Sequence, residues 1–229
     1  MSGAPFLALE GPDGAGKTTL AACVADSLAH LGVQHVDRRQ VSTHSTYAAT
    51  LMAPLARMLW HSGDSPDLSD SFWAHLQASW FTAHGEQVVA PALAAGPILV
   101  DGWYFKLASH LTGQGWSTAQ IDYLFSRVRR PDHTILLDVE PEVLWDRKAD
   151  QLRPAELGMH GSYTTLGRES FLDYQKRGLD RLRNMAAAGG WHVMKVPADE
   201  DLNTTAHRVT ALIRRLVLTT TPSASGERL

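Results

Sequence analysis

The chain has 229 residues, a formal net charge of −3 and a single cysteine, Cys23. That length holds one full α/β core or two small ones, and the slightly acidic balance without a long Lys/Arg run argues against broad nucleic-acid binding. One cysteine excludes an intrachain disulfide, and no apolar run approaches the ~18 residues of a membrane span. Hydrophobic and charged contents of 44% and 20% are those of an ordinary globular protein. The first residues lack the basic-then-apolar order of a secretory leader, so a soluble cytoplasmic protein without membrane contact is expected.

The first element in chain order is an apolar strand over 6–9, which runs into a glycine-rich stretch. A helix over 18–31 follows, with Leu20, Val24, Leu28 and Leu31 at helical spacing and Gly32 as its stop. A weaker strand over 33–36 leads to helical regions over 47–59 and 69–95, the second broken or kinked near Gly85 and Pro91. Strands are expected over 98–100, 134–137 and 191–196. Helices are expected over 142–152, with Pro141 at the start, and over 168–187 and 202–216. Near-continuous apolar strands alternating with helices specify a doubly wound α/β fold: a five-stranded parallel sheet with helices on both faces. One domain over 1–218 and a flexible tail over 219–229, rich in Thr, Ser, Pro and Gly, complete the expectation.

Gly11-Pro12-Asp13-Gly14-Ala15-Gly16-Lys17-Thr18 matches G-x-x-x-x-G-K-[ST] in full, between a strand and a helix as its mechanism requires. Glycines at these positions permit positive φ angles and leave room for phosphate oxygens. Successive amides then form an anion nest at a helix N-terminus. Residues Gly11 to Thr19 are therefore expected to bind ATP, Lys17 to reach the β- and γ-phosphates, and the Thr18 hydroxyl to ligate Mg2+. Asp101 ends the third strand, at the sheet edge where ligands of such folds bind. It is a candidate for holding the magnesium site or activating an acceptor hydroxyl. Asp138 also ends a strand, and a turn or cap accounts for it equally well.

The run Glu10 to Thr19 resembles the thymidylate kinase family of P-loop kinases, whose members show "EG-DG-GKTT" after the first strand. Pro91-Ala92-Leu93-Ala94-Ala95-Gly96 before the third strand resembles that family's "PAL..G" segment. Leu137-Asp138-Val139-Glu140-Pro141-Glu142 with Arg147 resembles its "LDV-PE....R", and Arg168-Glu169-Ser170-Phe171 with Tyr174 resembles the segment beyond its lid. The resemblance implies an ATP- and Mg2+-dependent kinase of the P-loop fold, with a helical lid over about 148–167, and a homodimer. It implies that Asp13 contacts the acceptor sugar. It also implies that catalytic arginines come from the lid side, where Arg147, Arg153 and Arg168 are the candidates, since Gly14-Ala15 stand where other members carry a P-loop arginine.

The departures fall on the acceptor side. The family's "DR" becomes Asp101-Gly102, its "REPG" segment is absent, and no arginine lies between Arg57 and Arg127. Arg38, Arg39 and Lys106 are the cations left to pair an acceptor phosphate, and Trp73, Trp80, Trp103 and Tyr104 are the aromatics left to stack on a ring. The expected reaction is transfer of the γ-phosphoryl of ATP to a nucleoside monophosphate. A nucleoside or other small hydroxyl acceptor on the same scaffold is the alternative, and a regulatory ATP-binding protein a more distant one.

Overall fold

Period-two alternation in three buried strands sets the architecture. In the computed structural model, which describes residues 3–61, 67–148, 151–159, 161 and 163–220, β1 (Phe6–Glu10), β3 (Ile98–Val100) and β4 (His133–Asp138) are almost wholly buried. Phe6, Ala8, Ile98 and Val100 face one hydrophobic cluster, whereas Leu7, Leu9, Leu99, Ile135 and Leu137 face a second. A strand covered on both faces has to be apolar at successive positions, which is why these segments read as unbroken runs. The more mixed β2 (Gln34–Val36) and β5 (His192–Lys195) lie at the edges of a sheet ordered β2-β3-β1-β4-β5. All pairings are parallel, with Leu7 opposite Leu99, Leu9 opposite Ile135 and Val36 opposite Val100.

Helices close both faces. The first cluster is covered by α2 (Thr46–His61), α3 (Asp70–His84), α4 (Ala90–Ala95), α5 (Phe105–Gly113) and α6 (Thr118–Leu124). The second is covered by α1 (Lys17–Ser27), α7 (Pro141–Lys148), α9 (Leu202–Thr220) and the start of α8 (Arg168–Gly189). This is the doubly wound α/β arrangement of P-loop kinases, and it brings the loops after β1, β2, β3 and β4 to one edge of the sheet.

The long helical region is interrupted where expected: Gly85–Val89 form a π-helical turn between α3 and α4, and Pro91 stands in the first turn of α4. The structure differs from the expected elements at three places. Neither α5 nor α6 was expected. α6 carries a full capping box from Ser117 and Gln120, whereas α5 starts at Tyr104 without a side-chain cap. α7 is described as far as Lys148; 149 and 150 lie outside the described residues, and Leu152 is not in an α-helix. Thr219 and Thr220 belong to α9 rather than to a tail, and 221–229 lie outside the described residues.

Most of the expected lid, 148–167, is described, apart from 149, 150, 160 and 162. Its core is a knot of turns in which the amides of Glu156 and Leu157 donate to the Arg153 carbonyl at 2.9 and 3.1 Å. Buried Gln175 of α8 fastens the knot by donating from Nε2 to the Glu156 carbonyl at 2.9 Å.

Candidate active site

The loop after β1 is shaped by close approach to β4. A Cβ on Gly11, whose φ is 149°, would lie 2.8 Å from the Leu137 carbonyl oxygen, so the chain passes there only as glycine. Gly16 then turns into α1 at φ 80° with no side chain capping the helix, which leaves the first-turn amides open at the positive end of the helix. Lys17, buried at 8% exposure, donates from Nζ to the carbonyls of Gly11 and Pro12 at 2.9 and 2.7 Å. Burial pushes its ammonium down to about 8; attraction from Asp13 and Glu10 opposes the shift, and repulsion from Lys106 and Arg38 adds to it.

In the first turn of α1, Thr18 Oγ1 donates to Asp101 Oδ2 at 2.6 Å. The Arg38 amide donates to Asp101 Oδ1 at 3.1 Å, and His35 Nε2 stands 3.9 Å from the same oxygen. Burial works to raise the Asp101 pKa, but His35, the Thr18 hydroxyl and the Arg38 amide outweigh it and hold the carboxyl well below the usual range. Asp101 is therefore an anion at neutral pH, with Oδ2 turned to Thr18 and Oδ1 to the Arg38 amide. Glu10, at the end of β1, accepts from the Trp103 amide at 2.8 Å through Oε1, while its buried Oε2 has no hydrogen-bond partner among the described residues. Burial pushes this carboxyl up to about 7, against the Trp103 amide and the cations Lys17, Arg38 and Lys106.

Beyond the loop lies a cleft of about 210 Å³ bounded by α2, α3, α5, the knot of turns and α8. Asp13 and Lys106 face into it, joined by an ion pair, and Trp73, Gln77, Arg153 and Tyr174 add to its walls. Burial opposes ionisation of Asp13, but the Lys106 ammonium holds its carboxyl well below the usual range. The cleft thus brings the rings of Trp73 and Tyr174 and the charged pair Asp13–Lys106 together beside the glycine-rich loop.

Comparison with known proteins agrees with this geometry. A family model described as thymidylate kinase matches residues 9–165. The chain belongs to the thymidylate kinase family. It is 29% identical to a thymidylate kinase of Desulforudis audaxviator over 95% of this chain and 93% of that one. A thymidylate kinase of Synechococcus sp. is 31% identical over 68% of this chain and 76% of its own. One of Xanthomonas euvesicatoria is 33% identical over 61% of this chain and 58% of its own. Membership makes this protein a kinase, an ATP-dependent phosphotransferase of the nucleoside monophosphate kinase kind.

Against this thymidylate kinase framework, the residues singled out by sequence fall into two groups. Gly11 to Thr19, Asp101, Asp13, Lys106, Trp73 and Arg153 gather around the loop and cleft. Four others are placed elsewhere. Trp80 is fully buried and donates from Nε1 to the Arg38 carbonyl at 2.9 Å. Trp103 is buried among Phe6, Phe81 and His84, with Nε1 on the Arg129 carbonyl at 2.8 Å. Tyr104 is buried and stacks on Phe125 at 4.5 Å. Arg39 is exposed and pairs with Asp37 at 3.1 Å. The three aromatics belong to the core because they fall on the inward faces of α3 and of the segment entering α5.

Arg147 is exposed, with Nη2 donating to the Glu200 carbonyl at 3.2 Å, and Arg168 is exposed at the first residue of α8. Asp138 is taken up by Arg183 of α8, whose Nε and Nη2 donate to it at 3.0 and 2.6 Å. Two residues at the site escaped the sequence reading: Lys148, whose Cδ lies 3.2 Å from where a Cβ on Gly14 would stand, and buried Glu10. The family's "EG" dipeptide was the available signal for Glu10. Lys148 had none, because its position depends on how α7 packs over the loop.

Proposed function

We propose that this protein transfers the γ-phosphoryl group of ATP to thymidylate, with Mg2+ as its bound cation. The observation that carries the reading is the adjacency of two sites. The phosphate loop, with Lys17 and the Thr18–Asp101 pair, adjoins the cleft that holds Asp13, Lys106 and Trp73. Family membership and the names of the relatives supply the acceptor.

The donor set fits magnesium. Thr18 Oγ1 and Asp101 Oδ2 are hard oxygens 2.6 Å apart, and a cation there would draw its other ligands from nucleotide oxygens and water. Mg2+ supplies charge neutralisation on the β- and γ-phosphate oxygens. On nucleotide binding, Lys17 exchanges the carbonyls of Gly11 and Pro12 for phosphate oxygens, and the open amides of the loop hold the rest. Asp13 receives the acceptor sugar's hydroxyl, Trp73 stacks on the base, and Asp101 helps orient the attacking phosphate. Of the lid-side arginines, Arg153 stands in the cleft wall and is the one we assign to the charge of the transition state; Arg147 and Arg168 complete the cationic rim.

We further read the chain up to Thr220, the last residue of α9, as one kinase domain with the lid over 148–167. We expect a homodimer formed through α2 and α3, where Tyr47, Leu51 and Phe72 are exposed apolar side chains. No helix among the described residues is long and apolar enough to cross a membrane. The need for ATP and the lone cysteine place the enzyme in the cytoplasm in this reading.

An assay of ADP release with thymidylate, other nucleoside monophosphates and free nucleosides tests the proposal. The expected result is turnover on thymidylate of about 1–100 per second. Stimulation by a free nucleoside and by no monophosphate would overturn it.

A further inference from the structure

A second pocket, of about 390 Å³, opens where β4 and β5 begin, at His133 and His192. The phosphate loop lies where the strands end, so the pocket stands at the other edge of the sheet. α5 separates it from the cleft: Lys106 and His110 line the cleft, whereas Phe105 and Ala108, on another face of the same helix, line the pocket. No residue assigned above to nucleotide, cation or acceptor reaches it.

Its floor is a strand residue. Alternation along β4 puts Thr134 on the same face as Leu136, which packs with Phe105, Met185 and Trp191. Thr134 is 5% exposed, and among the described residues its hydroxyl makes no hydrogen bond. A buried hydroxyl in that state takes its partner from whatever fills the pocket. Trp191 forms a wall, its ring 4.6 Å from that of Phe105. Its Nε1 lies over Gly189, where a Cβ would stand 2.6 Å away, and it too makes no hydrogen bond among the described residues.

The charges of the rim are matched within the protein. Arg130 pairs with Asp122 at 3.7 Å, and Asp132 Oδ2 accepts from the Phe6 amide at 2.8 Å. Burial lowers the pKa of His192, and repulsion from His133 and Arg215 adds to the shift, so its imidazole is neutral at pH 7. Nothing here repays a charged ligand for its lost hydration.

We propose that this pocket binds a neutral heteroaromatic molecule of one or two rings, which packs on Phe105, Met185 and Trp191 and bonds to the Thr134 hydroxyl and Trp191 Nε1. The volume is that of a small-molecule site. Aromatic and thioether walls favour a flat, polarizable ring. The two polar groups call for ring nitrogens that donate and accept.

Fluorine NMR of the fluorotryptophan-labelled enzyme, titrated with benzimidazole at neutral pH, tests the proposal. Trp191→Phe assigns the Trp191 signal among the seven tryptophans. That signal is expected to shift saturably, with a dissociation constant of about 1 mM or tighter, while the Trp73 signal from the cleft stays in place. Thr134→Val keeps the shape and removes the hydroxyl, and should weaken binding about three- to tenfold. Ala188→Phe, at an exposed position of α8 on the pocket's mouth, should abolish it. A Trp191 signal that does not move, one that moves as in wild type in both variants, or movement of Trp73 in its stead overturns the proposal. Neither substitution strands a hydrogen-bond partner; should one variant nonetheless fail to fold, the other decides alone.

Discussion

Thr18 Oγ1 donates a 2.6 Å hydrogen bond to Asp101 Oδ2, and so joins the first turn of α1 to the end of β3. Two segments 83 positions apart meet there, because parallel pairing of β1 with β3 sets Ala8 opposite Val100 and delivers both strand ends to one edge. The pair fixes two oxygen donors before any nucleotide arrives, so little reorganisation is left for the moment of reaction.

Asp101→Asn keeps the shape of this pair and removes its charge. Magnesium affinity or turnover should fall by about 10- to 100-fold, and part of the loss should return as Mg2+ is raised. A titration of activity against Mg2+ concentration checks this. An unchanged magnesium requirement would remove Asp101 from the cation site.

Lys17→Met should abolish transfer, with a loss of at least about 100-fold in turnover. The side chain is nearly isosteric, but the carbonyls of buried Gly11 and Pro12 lose their donor, so a stability loss of about 1–3 kcal/mol should accompany the variant. Steady-state ADP release together with a thermal melt separates lost chemistry from lost structure. Near-normal turnover would refute the role given to the loop.

Two tryptophans should answer oppositely to substitution. Trp80→Phe leaves the Arg38 carbonyl without its donor inside the core and should cost about 1–3 kcal/mol of stability. Trp73→Ala touches the cleft wall and should raise the KM for the acceptor while sparing most of the stability. Urea unfolding and acceptor kinetics on both variants make the comparison.

His84 supplies a pH test of the packing behind the site. It is wholly buried against Trp80 and Trp103, with Nε2 3.1 Å from the Asp37 carbonyl and Nδ1 without a partner among the described residues. Burial pushes its pKa down to about 4, against the Asp37 carbonyl and the charges of Asp37 and Asp101. Between pH 6.5 and 4 the unfolded chain therefore binds this proton and the folded chain does not, so stability falls as pH drops through that window. His84→Phe should lower the melting temperature at pH 7 and flatten its decline below pH 6.5. An unaltered decline would place the responsible group elsewhere.

How far the sequence disclosed this molecule follows from what kind of information each feature carries. The phosphate loop and the five strands rest on local patterns, a glycine–lysine spacing and apolar runs, and they lie where those patterns put them. α5 escaped because it has no capping side chain and buries Ala108, Ser109 and Leu111, too small and mixed a stripe to stand out. Gly85 and Pro91 marked the interruption of the long helix, but nothing local announces that it takes the form of a π-helical turn. At the site, Arg38 and Arg39 are adjacent and chemically alike. Only the pairing of β2 with β3 decides that Arg38 lies over Gly102 while Arg39 turns to Asp37. Trp80 and Trp103 look like Trp73 in sequence, and it is tertiary burial that sends them to the core.

The most direct test is phosphorus NMR of the enzyme with ATP, Mg2+ and thymidylate. Thymidine diphosphate should accumulate one for one with ADP, with no free phosphate released. ADP that appears only together with inorganic phosphate, the thymidylate signal remaining unchanged, would contradict the account.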